Sequence, residues 1–115
     1  MDMLYYIYIG SNRVTIDHLS KITGGMFMAV SSCNKAAKVI DGIRERYNTS
    51  ILYEESTPQK DSQNITFLHK RFPRVYIILI TEGLQKEHRK LYLQAGVNNT
   101  LSPMASEERL LQMVK

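Results

Sequence analysis

Two kinds of segment alternate along this chain. Short runs that are apolar at nearly every position are followed by longer stretches whose apolar residues recur every three or four positions. The first kind marks strands covered on both faces, the second amphipathic helices laid against them. "LYYIYIG" (Leu4 to Gly10) reads as a strand ended by its glycine. In "TIDHLSKI", Ile16, Leu19 and Ile22 fall at helical spacing, and Gly24-Gly25 stops the run. "MFMAVSS" (Met26 to Ser32) is a second strand. "CNKAAKVIDGIRERY" is a helix with Ala36, Val39, Ile40 and Ile43 on one face and Ser32 as N-cap. "SILYE" (Ser50 to Glu54) is a third strand. The polar stretch "STPQKDSQN" reads as a loop, with Asp61 or Ser62 capping a helix that carries Ile65, Leu68 and Phe72 and ends at Pro73.

The remainder repeats the alternation. "VYIILIT" (Val75 to Thr81) is apolar enough for a central strand. "LQKEHRKLYLQAG" is a helix closed by Gly96, "NNTLS" a short strand and "SEERLLQMVK" a last helix. Five β-α units in succession imply right-handed crossovers, and so a (βα)5, flavodoxin-like, three-layer α/β fold around a five-stranded parallel sheet. The 115 residues suit one domain. The last helical pattern has no glycine or proline stop, so residues 1–115 are expected to be the N-terminal part of a longer protein.

Composition narrows the classes. Apolar residues make up 43% and charged residues 23%, as in an ordinary globular domain. No segment reaches the roughly 20 apolar residues of a membrane span, so no membrane insertion is expected. The start "MDML" is acidic rather than basic, unlike an export signal, which makes the cytoplasm the expected compartment. The single Cys33 excludes an internal disulfide, and Cys/His spacing for zinc is absent. Cys33 reads as a buried thiol at a helix start. His18, His69 and His88 are scattered and none reads as a ligand. The net charge of +4 permits an acidic partner. "KRFPR" (Lys70, Arg71, Arg74) and "KEHRK" (Lys86 to Lys90) lack interleaved stacking aromatics, so no direct contact with nucleic acid is expected. Tyr5, Tyr6 and Tyr8 read as core and rim packing.

In such folds the chemistry sits beyond the carboxyl ends of the strands. There the sequence places Gly10, Ser11 and Asn12 after the first strand, Glu54 and Glu55 after the third, Thr81 and Glu82 after the fourth, and Ser102 before Pro103 after the fifth. "ILYEESTPQKD", "VYIILITEG" and "LYLQAGVNNTLSPMASEERLLQMV" together resemble receiver domains of response regulators of bacterial two-component systems, over nearly the full length. The resemblance places Glu54, four residues before Pro58, on the phosphoacceptor Asp, Thr81 on the switch Thr/Ser, Ser102 on the Lys before Pro103, and Gly10, Ser11 and Asn12 on the acidic pair. The fifth-strand aromatic falls near Asn99. Only Thr81 keeps the family's chemical residue type.

With these departures the chain resembles a degenerate, or pseudo-, receiver. Phosphoryl transfer needs a metal and a cation to meet developing charge, and here at most one carboxylate would reach the metal and the cation is missing. The expectation is therefore a non-enzymatic signalling module with no cofactor and no metal. It would work by protein contact, with itself or with a fused output domain that binds DNA or is an enzyme such as a sugar-phosphate transferase. The resemblance implies a surface on the fourth helix, fifth strand and last helix, comprising Leu84, His88, Leu91, Tyr92, Arg109 and Gln112. Two alternatives stand beside it: a receiver phosphorylated at Glu54 by non-standard chemistry, and a flavodoxin-like small-ligand binder. Glu54 itself is either a mimic of a phosphorylated Asp or a solvated glutamate. Glu55 reads as solvent-facing or a weak pairing partner, and Ser11 and Asn12 as helix caps.

Overall fold

The structure is a computed structural model that describes residues 3–113. The acidic leader formed by Met1 and Asp2, and Val114 and Lys115 of the final helical pattern, lie outside the described residues. Ten elements alternate strictly: β1 (Met3–Ile9), α1 (Arg13–Ile22), β2 (Phe27–Val30), α2 (Cys33–Ile43), β3 (Tyr47–Glu54), α3 (Pro58–Arg71), β4 (Tyr76–Ile80), α4 (Lys86–Ala95), β5 (Asn99–Leu101) and α5 (Glu107–Met113). The strands form one parallel sheet in the order β2-β1-β3-β4-β5. The expected (βα)5 architecture is present.

Strand alternation divides the core into two layers. Ile7, Ile9, Ile51, Tyr53, Ile77 and Leu79 face one side, where Ala36, Ile40, Ile65, Leu68, Tyr92 and Ala95 of α2, α3 and α4 cover them. Tyr6, Tyr8, Leu52, Ile78 and Ile80 face the other, under Leu19 of α1 and Leu110 and Met113 of α5. Ile7, Ile51, Leu52, Ile77, Ile78 and Leu79 are wholly buried. That is why β3 and β4 carry apolar side chains on both faces.

Local signals explain the element ends. Ser32 and Asn12 cap α2 and α1, accepting from the N–H of Lys35 and Thr15 at 3.2 Å each. Gly96 ends α4 with φ +126°, where an added Cβ would also lie 2.7 Å from the His69 ring. Several boundaries differ from the sequence reading. The second helix stops at Ile43 because β3 begins at Tyr47 and pairs along its length with β1. β2 is shorter than expected, at four residues. The "loop" after β3 is largely helix: α3 starts at Pro58, whose missing N–H costs nothing at the first helical position.

Candidate functional site

The β1–β3 register sets Ile9 beside Tyr53, which brings the Gly10 loop against Glu54. Glu54 does not project into solvent. Its Oε1 accepts from the Tyr8 hydroxyl and, at 2.9 Å, from the Asn12 N–H; its Oε2 lies 3.3 Å from the Ser11 N–H. The carboxylate thus rests on the amino end of α1, where unpaired N–H groups and the helix dipole favour negative charge. Gly10 makes room for it, because a Cβ there would stand 2.6 Å from both Cβ and Cδ of Glu54. The solvated-glutamate reading is corrected: Glu54 is half-buried and held by three donors.

Tyr8 is the site residue that sequence reasoning missed. Read as packing, it is fully buried, yet its hydroxyl reaches Glu54. Burial, together with the hydrogen bond and charge of Glu54, pushes its pKa far above the ordinary tyrosine value. Its signal was position, two residues before Gly10 on the strand next to β3.

The second carboxylate holds the second hydroxyl. The Thr81 Oγ1 donates to Glu55 Oε1 at 2.7 Å and accepts from the Gly83 N–H at 3.2 Å. Thr81 is buried and Glu55 half-buried, so Glu55 is a pairing partner rather than a free solvent-facing acid. Glu54, Glu55, Thr81, Tyr8 and Asn12 border a hollow of about 310 Å³. Ser102 stands outside it. Its exposed hydroxyl accepts from the Met104 N–H at 3.3 Å, which makes it a loop cap.

Magnesium in the receiver manner needs free carboxylate oxygens. Glu54 already meets three donors, Asn12 Oδ1 accepts from the Thr15 N–H, and Glu55 Oε1 accepts from the Thr81 hydroxyl. Among the described residues no group of three or more His, Cys, Asp or Glu side chains is placed to hold a metal ion. The two ion pairs found among the described residues both fall on Asp41, far from the site in sequence.

A second polar cluster lies beneath the first. Asp61 does not cap α3; it sits inside the first turn and is 1% exposed. Its Oδ1 accepts from the Tyr53 hydroxyl at 3.1 Å, and its Oδ2 from the Tyr92 hydroxyl at 2.8 Å and the Ser56 N–H at 2.7 Å. Asn64 donates in turn to the Tyr53 oxygen at 2.9 Å. Tyr92 is therefore corrected from surface to core. A buried carboxylate needs such a full set of donors. Burial foremost, then Asp61 nearby, raises the Cys33 thiol pKa; this half-buried cysteine is not activated by its place at the start of α2.

Of the other expected surface residues, Leu84 and His88 are half-buried, while Leu91, Arg109 and Gln112 are exposed. Leu93, on the same helix as Leu91, is more exposed, and so is Leu111 on α5. His18 is committed elsewhere, its ring nitrogen meeting the Ala105 carbonyl at 2.6 Å.

The topology and the two-sided core define a flavodoxin-like (βα)5 fold of the CheY-like receiver type. Solved structures agree. A CheY-like protein (tadZ) from Pseudomonas aeruginosa is 13% identical with a TM-score of 0.75, over 97% of this chain and 90% of that one. The signal receiver domain of an HD domain-containing protein from Pseudomonas fluorescens is 15% identical with a TM-score of 0.76, over 97% and 84%. An atypical orphan response regulator, described as having a phosphorylation-independent regulatory mechanism, is 13% identical with a TM-score of 0.71, over 96% and 90%. At these identities the likeness is one of fold. No protein-family model and no curated protein matches the chain. Among the described residues, no helix is long and apolar enough to cross a membrane.

Proposed function

We propose that this domain is a pseudo-receiver: a regulatory module that signals by protein contact and not by accepting a phosphoryl group. One observation carries the reading. Both groups that a phosphoryl switch would use are already bonded internally, Glu54 to Tyr8, Ser11 and Asn12, and Thr81 to Glu55. Glu54 supplies a permanent negative charge at the amino end of α1, so the site is held in one arrangement without a donor, metal or cation. The atypical orphan regulator among the similar structures gives a precedent for phosphorylation-independent control on this fold. The partner is a second copy or a fused output domain, DNA-binding or an enzyme such as a sugar-phosphate transferase. Contact would run through Leu91, Arg109 and Gln112, flanked by Leu84 and His88. The module itself is non-enzymatic and works in the cytoplasm.

The test incubates the domain with acetyl phosphate and magnesium and weighs it. An unchanged mass is expected. A gain of one phosphoryl group that disappears in Glu54→Gln would overturn the proposal in favour of non-standard phosphorylation. Sedimentation across a range of concentrations, alone and with the downstream segment of the full-length protein, tests the contact function. A domain that stays monomeric and ignores that segment refutes it.

A further inference from the structure

The opposite end of the sheet carries a second concave surface. It encloses about 560 Å³ at the amino ends of β3 and β4, between the last turns of α2 and α3. Three arginines line it from three places: Arg44 just after α2, Arg71 at the end of α3, and Arg74 in the turn before β4. Asp41 bonds to Arg71 and lies 3.9 Å from Arg44, so one carboxylate serves two guanidinium groups. Glu45 also lines the hollow, and Arg74 belongs to neither ion pair found among the described residues. Basic residues at helix carboxyl ends complement the dipole. That accounts for Arg44 and Arg71 but not for Arg74, which follows Pro73 outside the helix.

A second observation points the same way. Thr49 lines this hollow, is 5% exposed, and its Oγ1 has no hydrogen-bond partner. Strand alternation puts its side chain on the same face as Ile51 and Tyr53, toward α2 and α3 and under the arginines. A buried hydroxyl without a partner is uncommon and destabilising.

We propose that this hollow binds a phosphate-bearing small molecule. The phosphate sits among the guanidinium groups of Arg44, Arg71 and Arg74, whose planar forks match its oxygens. The Thr49 hydroxyl donates to it, and the organic body lies against Tyr47 and Val75. The volume is in the range of small-ligand sites. Oγ1 is covered by protein, so binding draws groove side chains aside before the hydroxyl engages. The site is independent of how Glu54 is read.

The experiment titrates the isotope-labelled chain with adenosine 5′-monophosphate and, separately, inorganic phosphate, following backbone amides by NMR. Saturable shifts are expected at Tyr47 to Thr49 and at Arg74 and Val75, with the nucleotide tighter than phosphate. Arg74→Gln and Thr49→Val should each weaken the nucleotide at least tenfold. Thr49→Val keeps the shape and removes an unpaired buried hydroxyl, so it should melt no lower than the parent. Shifts spread evenly over all basic faces, or none at these amides, overturn the proposal. So does phosphate binding as tightly as the nucleotide, or nucleotide affinity unchanged in either variant.

Discussion

The Tyr92 hydroxyl donates a 2.8 Å hydrogen bond to Asp61, and each side chain is only 1% exposed. This contact ties α4 to α3 through the core rather than across the surface. With Tyr53 as a second donor and the Ser56 N–H as a third, Asp61 links β3, α3 and α4. A buried carboxylate answered by three donors is stable only while all of them are present.

Tyr92→Phe should therefore destabilise the domain by about 1.5 to 3 kcal/mol, the range for a hydrogen bond to a charged group. Asp61→Ala should cost more, since it strands two buried hydroxyls and an N–H. Urea unfolding monitored by circular dichroism measures both. An unchanged midpoint in Tyr92→Phe would show that the hydroxyl contributes nothing to holding α4.

Gly10 and Glu54 should behave as a coupled pair. A Cβ at position 10 meets Glu54 atoms at 2.6 Å, so Gly10→Ala should cost about 1–3 kcal/mol by overpacking. With Glu54→Ala in the background, the part of the penalty due to Cδ and Oε1 should vanish while the contact with the position-54 Cβ remains, giving a double-mutant coupling above about 0.5 kcal/mol. Additive effects would mean that the Glu54 side chain does not pack on Gly10.

Alkali should unfold the domain through its tyrosines. Burial pushes Tyr6 up to about 12, and Tyr8, Tyr53 and Tyr92 are shifted upward chiefly by burial too. A folded pKa above the unfolded one stabilises the protonated state. The stabilisation is complete below about pH 10, where unfolded tyrosines titrate, and is lost as pH rises toward 12. Absorbance at 295 nm should show four of the seven tyrosines ionising together with loss of circular dichroism. Early ionisation of all seven in a still-folded protein would contradict this.

Cys33 should alkylate slowly. Burial and then the Asp61 charge raise its pKa, and thiolate is the reactive form. Iodoacetamide at neutral pH should label it several-fold more slowly in the folded chain than in urea. Equal rates would show an open, unperturbed thiol.

The β-α alternation was legible in the sequence because each element carries its own periodicity, and period is a local property. The start of α3 was not. Its polar first turn resembles a loop, and only Pro58 at the first helical position marked it as helix. Asp61 read as a cap for the same reason: a carboxylate near a helix start has that role unless something buries it. Tyr92 read as surface because the resemblance implied a contact face on the fourth helix, and the mixed stripe of Leu91, Tyr92 and Leu93 does not state which side faces the sheet.

By itself the sequence determined the fold class, the order of the elements, the placing of Glu54 at the end of β3, and the lack of an acidic pair after β1 and of a lysine before Pro103. These follow from residue types and short-range spacing. What those groups touch was decided only by the tertiary structure. Tyr8, Ser11 and Asn12 lie more than forty residues from Glu54 and meet it because β1 pairs with β3 in one register. Thr81 reaches Glu55 because β4 lies on the other side of β3. Hydrogen bonds act over about 3 Å, and only the packed sheet brings residues so distant along the chain within that reach.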